Sequence, residues 1–159
     1  MSVKSLFVAA TRQNDGKTMV SLGLFKAIQK RFPKVAYMKP VGQQYRVVDG
    51  KKIDKDAVLF QKVYDLKERF LAMSPIAVPR GFTEAYIDKP RKAELEKKVL
   101  DAKAELIVDK DFLLIEGTGH AGVGTIFDLS NASTAKLLGA KVVLVSLGGI
   151  GRAIDEIML

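Results

Sequence analysis

A three-layer α/β fold, with a mostly parallel sheet and helices on both faces, is predicted by three observations. Short apolar runs (KSLFVAA, KVAYMKPV, DFLLI, KVVLVSL) alternate with stretches of helical spacing, the pattern of parallel βαβ units. The first run ends in a tight loop that closes on Gly16-Lys17-Thr18 and opens a helix. A glycine-rich run over 117–124 follows DFLLI, at the strand end where α/β proteins place ligand groups.

Lys4–Ala10 reads as a short buried strand whose apolar run stops at the loop. Residues 17–31 carry Met19, Val20, Leu22, Leu24, Phe25 and Ile28 at amphipathic helix spacing. Residues 34–41 form a second strand, ended by Pro40, which has no N–H for a central ladder. After a polar turn at Asp49-Gly50, residues 54–72 have helical spacing through Val58, Leu59, Val63, Leu66 and Phe70. Residues 74–79 are expected to be extended, 80–83 a loop, and 89–108 a long charged helix. Residues 111–115 read as a core strand, 131–138 as a short helix and 141–147 as another strong strand. Residues 151–159 begin an amphipathic helix and stop. The expectation is one domain over 1–159 that is C-terminally incomplete, lacking the last strands of its sheet.

A chain of 159 residues has room for one compact domain with a real core. The absence of cysteine excludes disulfides and thiolate metal sites. No apolar run reaches membrane-spanning length, and the N-terminus lacks a secretory pattern, so a cytoplasmic protein is the plain reading. The net charge of +8 is scattered among acidic neighbours, as in KPRKAELEKK at 89–98. That is the pattern of a solvated helix face rather than a nucleic-acid surface, and it suits an anionic ligand such as a nucleotide.

The loop supplies the chemistry for such a ligand. Backbone N–H groups of a strand–loop–helix turn point at phosphate oxygens, aided by the helix dipole. Gly16 lets the backbone approach closely, Lys17 offers a mobile cation to the β- and γ-phosphates, and Thr18 offers a hydroxyl to Mg²⁺. Thr11, Asn14 and Asp15 complete the candidate nucleotide-binding residues. Asp15 is a carboxylate beside a phosphate site, either turned to solvent or helping a metal shell. Thr11 stands where such loops usually carry their first glycine.

That substitution is what makes the loop resemble the dethiobiotin synthetase family, whose pattern runs roughly Gly-Thr-x-Thr-x-x-Gly-Lys-Thr. Thr11 matches its first threonine, and Gly16-Lys17-Thr18 its end. Lys39-Pro40-Val41, Asp56-Ala57 and FLLIEGTG at 112–119 resemble family segments in the same order. The chain is similar also to cobyrinate a,c-diamide synthases and to the N-terminal domains of some phosphotransacetylases. With Pro79-Arg80-Gly81-Phe82-Thr83 it looks closest to an uncharacterised branch. The resemblance implies a P-loop NTPase using ATP and Mg²⁺, with Thr18, Asp56 and Glu116 as the metal shell. It also implies Lys39 and Lys17 as catalytic residues, and Gly117, Thr118 and Gly119 as a second loop at the nucleotide. Read from the residues alone, Asp56 is alternatively a helix-start acid, Glu116 a solvated strand-end carboxylate, and the glycines a plain turn. His120 has no ligand partners by spacing and reads as structural.

Departures from the family fall on the substrate side. Arg12 and Gln13 replace the usual Asp and Thr, and Gln43 stands where a substrate-binding serine is usual, so a different, more anionic substrate is expected. The family's adenine-binding residues would lie past residue 159, so base choice is not read here. The resemblance implies phosphorylation of a carboxylate or carbamate in a ligase reaction, by a homodimer. The alternative is a nucleotide-sensing domain that controls an appended domain or partner.

Overall fold

The computed structural model describes residues 3–158. In chain order its elements are β1 (Lys4–Ala10), α1 (Lys17–Gln29), β2 (Val35–Met38), β3 (Val41–Gly42), β4 (Tyr45–Val48), β5 (Lys51–Asp54), α2 (Lys55–Tyr64), α3 (Phe70–Met73) and β6 (Ile76–Ala77). They continue with α4 (Phe82–Asp88), α5 (Lys92–Leu106), β7 (Phe112–Glu116), a 3₁₀ turn (Thr125–Phe127), α6 (Asn131–Leu137), β8 (Lys141–Val145) and α7 (Arg152–Met158).

The main sheet has the order β2-β7-β1-β8, and every neighbouring pair is parallel. Consecutive residues Phe7–Ala10, Val35–Met38 and Leu113–Glu116 are all buried, so β1, β2 and β7 are covered on both faces, whereas β8 is partly exposed. This is the α/β architecture that the alternation of apolar runs and helical stretches predicts. The register sets Ile115 opposite both Met38 and Phe7, and Glu116 opposite Val8. The carboxyl ends of β2, β7 and β1 therefore lie nearly level. Whatever follows each strand emerges on one edge, where parallel sheets hold their ligands.

α1 packs by a narrow stripe, Lys17, Ser21 and Phe25, spaced four residues apart. Met19 is 74% exposed, so it is not the core contact its spacing suggested. Phe60 of α2 stacks on Tyr37 of β2 with ring centroids 3.6 Å apart, and Phe25 meets Phe60 edge-on. That aromatic stack fixes α2 over β2.

Several segments differ from expectation, each for a local backbone reason. The helix expected over 54–72 is broken at Asp65, whose left-handed φ of 51° ends α2, while the Leu66 N–H returns to the Gln61 carbonyl. The polar turn at Asp49-Gly50 is the tip of an antiparallel hairpin, β4–β5, with φ positive at both residues. Residues 82–88 are a helix rather than the continuation of a loop, and Phe82 and Tyr86 pack against Phe127. The strand expected over 34–41 leaves the main sheet after Met38. The Lys39 N–H turns to the Met73 carbonyl, and Val41–Gly42 pair with β6 instead. Among the described residues, no helix is long and apolar enough to cross a membrane.

Candidate nucleotide site

The loop between β1 and α1 opens the helix through Gly16, which caps α1 with φ 89°. No side chain caps that end, so the first N–H groups of the helix remain free for a ligand. Asn14 also takes a left-handed φ, 71°, which curls the loop. Lys17 is buried and donates to the Gly119 carbonyl at 2.5 Å. Burial, then the neighbouring Lys39 ammonium, lower the pKa of Lys17. A cation held in that way gains by meeting an anion.

A second charged group sits one strand over. Glu116, at the end of β7, is fully buried, and its carboxylate is held from three sides. Thr18 Oγ1 donates to Glu116 Oε1 at 2.9 Å, Lys39 Nζ donates to the same oxygen at 2.9 Å, and the Tyr37 hydroxyl donates to Oε2 at 3.3 Å. Lys39 Nζ also reaches Asp56 Oδ2 at 2.8 Å and the Gly117 carbonyl at 3.1 Å. Burial by itself would lower the Lys39 pKa, but Glu116 and then Asp56 outweigh it and the pKa is raised. Burial, with Glu116 next, holds the Tyr37 phenol well above its usual pKa, so it stays a neutral donor.

Thr18, Lys39, Asp56 and Glu116 thus converge from separate segments of the chain. Lys39 lies between the two carboxylates. Among the described residues no group of three or more His, Cys, Asp or Glu could hold an ion by itself. The side-chain oxygens of Thr18, Asp56 and Glu116 are hard donors of the type Mg²⁺ takes together with phosphates and water, and Lys39 Nζ is bonded to both carboxylates.

These groups line an open cleft of about 230 Å³, together with Gln13, Asn14, Gly16, Met19, Gln43, Gln44, Asp54, Lys55, Thr118 and Gly119. Gly117 lies behind it, packed so closely that an added Cβ would sit 2.6 Å from Asn131 Oδ1. Asn131 in turn ties the second loop together, accepting from the Thr118 N–H and donating to the Thr118 and His120 carbonyls. The His120 ring accepts from the Gly122 N–H within its own turn.

Thr11, Arg12 and Asp15 do not line the cleft. The Thr11 hydroxyl lies 3.1 Å from Asp15 Oδ2, 3.2 Å from Ser146 Oγ and 3.4 Å from Glu156 Oε2. Arg12 Nε is 3.0 Å from Glu156 Oε2 and 3.7 Å from Asp15 Oδ2. The expected substrate contact of Arg12 is therefore replaced by a contact to α7. Asp15 faces this arginine rather than the phosphate side. Of the three residues expected on the substrate side, Gln13 and Gln43 reach the cleft.

The model of a family described as AAA domain (AAA_26) matches residues 4–159. The chain belongs to this family. It is 25% identical over 153 residues to the ATP-dependent dethiobiotin synthetase BioD of Clostridium kluyveri, covering 93% of this chain and 64% of that one. It is 28% identical over 145 residues to the phosphate acetyltransferase of Pseudomonas aeruginosa, covering 89% of this chain and 19% of that one. The chain thus spans less than two thirds of either relative. Among solved structures, the kinase domain of the Escherichia coli tyrosine kinase ETK gives a TM-score of 0.47 at 14% identity, over 98% of this chain and 59% of that one. As a member of this family the chain is a P-loop NTPase domain, distantly homologous to dethiobiotin synthetase.

Asp54, Gln44 and Lys55 line the cleft, and buried Tyr37 supports it from behind through Glu116; the motifs reveal none of the four. Tyr37 had a signal, two residues before Lys39 and hence on the same strand face. Asp54 is buried and caps α2 by accepting the Asp56 N–H at 2.9 Å, a role its place before Asp56-Ala57 foreshadows.

Proposed function

We propose that the chain binds ATP with Mg²⁺ and transfers the γ-phosphoryl group to a carboxylate or carbamate, as the first half of an ATP-dependent ligation. The observation that carries this reading is the second buried lysine, Lys39, set beside Glu116 at the strand edge next to the phosphate loop. A domain that only cradles a nucleotide has no need of it. In the transfer, an acceptor oxygen forms a bond to the γ-phosphorus as the bond to the β–γ bridging oxygen breaks, and ADP leaves with that electron pair. The resulting mixed anhydride is attacked by an amine, phosphate departs, and the amine proton passes to solvent. Lys17 neutralises the polyphosphate, while Lys39 steadies charge on the acceptor and the moving group. Mg²⁺, when bound by Thr18, Asp56 and Glu116, supplies further charge neutralisation. Tyr37 fixes the carboxylate of Glu116 for both partners. A homodimer belongs to the same reading.

A nucleotide-sensing role is the second reading, favoured by the match to 19% of a phosphate acetyltransferase. An ADP-release assay with carboxylic acids, run beside calorimetric titration of ATP, separates the two. Under the first reading, Lys39→Ala loses turnover yet binds ATP within a few-fold of the parent. Turnover unchanged in Lys39→Ala sinks that role. ATP binding by the parent without turnover of any acid favours sensing.

A further inference from the structure

The cleft contains three lysines and three acids, and their pairing is uneven. Lys39 is matched by Asp56 and Glu116. Lys17 donates to a backbone carbonyl, has no ion-pair partner among the described residues, and is the natural partner of a polyphosphate. Asp54 is buried and committed to capping α2. Lys55 remains: it lines the cleft, is exposed, and has no ion-pair partner among the described residues. Its own N–H donates to the Gln44 carbonyl at 2.8 Å, which ties the start of α2 to the Gln43-Gln44 turn. One cation and two carboxamides are thereby grouped along one stretch of the cleft lining. The lining as a whole is unusual for a ligand pocket, because Met19 is its single apolar side chain.

We propose that Lys55, with Gln43 and Gln44, forms a subsite for a second carboxylate, so that the acceptor is a short dicarboxylic acid. One carboxylate takes the γ-phosphoryl group, its oxygen bonding to phosphorus as ADP leaves with the bridging electron pair. The other stays ionised on Lys55. This rests on the phosphoryl-transfer reading above and adds the class of acceptor.

The test uses the full chain with MgATP and equal concentrations of succinate, glutarate, butyrate or octanoate. ADP release is followed, and acyl phosphate is trapped with hydroxylamine as the hydroxamate. Turnover with a dicarboxylate should exceed that with either monocarboxylate by about tenfold, the worth of one charge-assisted contact. Lys55→Ala should raise KM for the dicarboxylate by a similar factor, and Lys55→Arg should recover most of it. The readout is the ratio of dicarboxylate to monocarboxylate turnover, which should fall toward one in Lys55→Ala and return in Lys55→Arg. Octanoate as the better acceptor, or a dicarboxylate KM unmoved in Lys55→Ala, overturns the subsite and leaves phosphoryl transfer standing. ATP binding with no hydroxamate from any of the four acids overturns both.

Discussion

Lys39 and Glu116 form an ion pair that burial makes costly to break from either side. Deleting one partner strands the other charge in the interior, which typically costs about 3–5 kcal/mol. Lys39→Met, which keeps the side-chain stem, should therefore lower thermal stability as well as turnover, while Glu116→Gln should lose Mg²⁺-dependent nucleotide binding. Asp54 offers a second test at the same scale. Burial is the main cause that pushes its pKa up to about 6 from 3.8, with Lys39 opposing. The folded state then holds this proton more tightly than the unfolded chain. Stability from this group is thus greatest at low pH and declines as pH rises from about 4 through 6. In protein free of nucleotide and metal, Asp54→Asn should gain on the parent over that window, by up to about 3 kcal/mol at ~1.4 kcal/mol per pKa unit. Asparagine also caps a helix, so the start of α2 is preserved. Chemical denaturation at pH 4 and pH 7 measures the difference; a constant offset between the two proteins would contradict it.

The elements that deliver the site are held by close approaches and by one electrostatic clasp. A Cβ on Gly42 would fall 2.6 Å from both Cβ and Oδ2 of buried Asp54, so Gly42→Ala should misplace the start of α2 and weaken Mg²⁺-dependent ATP binding. The clasp is Glu156 of α7, which faces Arg12 and Thr11 of the phosphate loop and accepts from Arg152 at 2.7 Å. Glu156→Ala should loosen the loop and weaken ATP binding several-fold; the charge-swapped pair Arg12→Glu with Glu156→Arg should recover part of the loss. Nucleotide titration of the three proteins checks this, and equal affinity in all three would contradict it. Local patterns make some of this legible in the sequence and leave the rest hidden. The strands β1, β7 and β8 and the loop at Gly16 are readable because apolar run, glycine and helix start agree. The break at Asp65 is not readable, since apolar spacing continues from Val63 through Leu66 to Phe70 across a residue that simply adopts left-handed φ. The partners of Arg12 are equally hidden, because the loop lies more than a hundred residues from Glu156 and no short-range pattern links them.

At the scale of the molecule, the parallel order β2-β7-β1-β8 explains why residues so far apart share one site. Three neighbouring strand ends carry Lys39, Glu116 and the phosphate loop to one edge, and the hairpin and α2 close over it with Asp54, Lys55 and Asp56. The outer edge strand β8 is less protected. Val142 and Leu144 are 53% and 43% exposed there, with Ile154 and Ile157 exposed on α7. An exposed apolar edge of this kind promotes association. Leu144→Lys should lower concentration-dependent light scattering and leave ATP affinity unchanged; scattering as strong as the parent's would contradict it. The most direct measurement of the central claim is calorimetric titration of ATP, with and without Mg²⁺, into the parent chain and Lys17→Ala. The account predicts saturable binding by the parent, strengthened by Mg²⁺ and lost in Lys17→Ala. No heat of binding from the parent, or equal binding by both proteins, would contradict it.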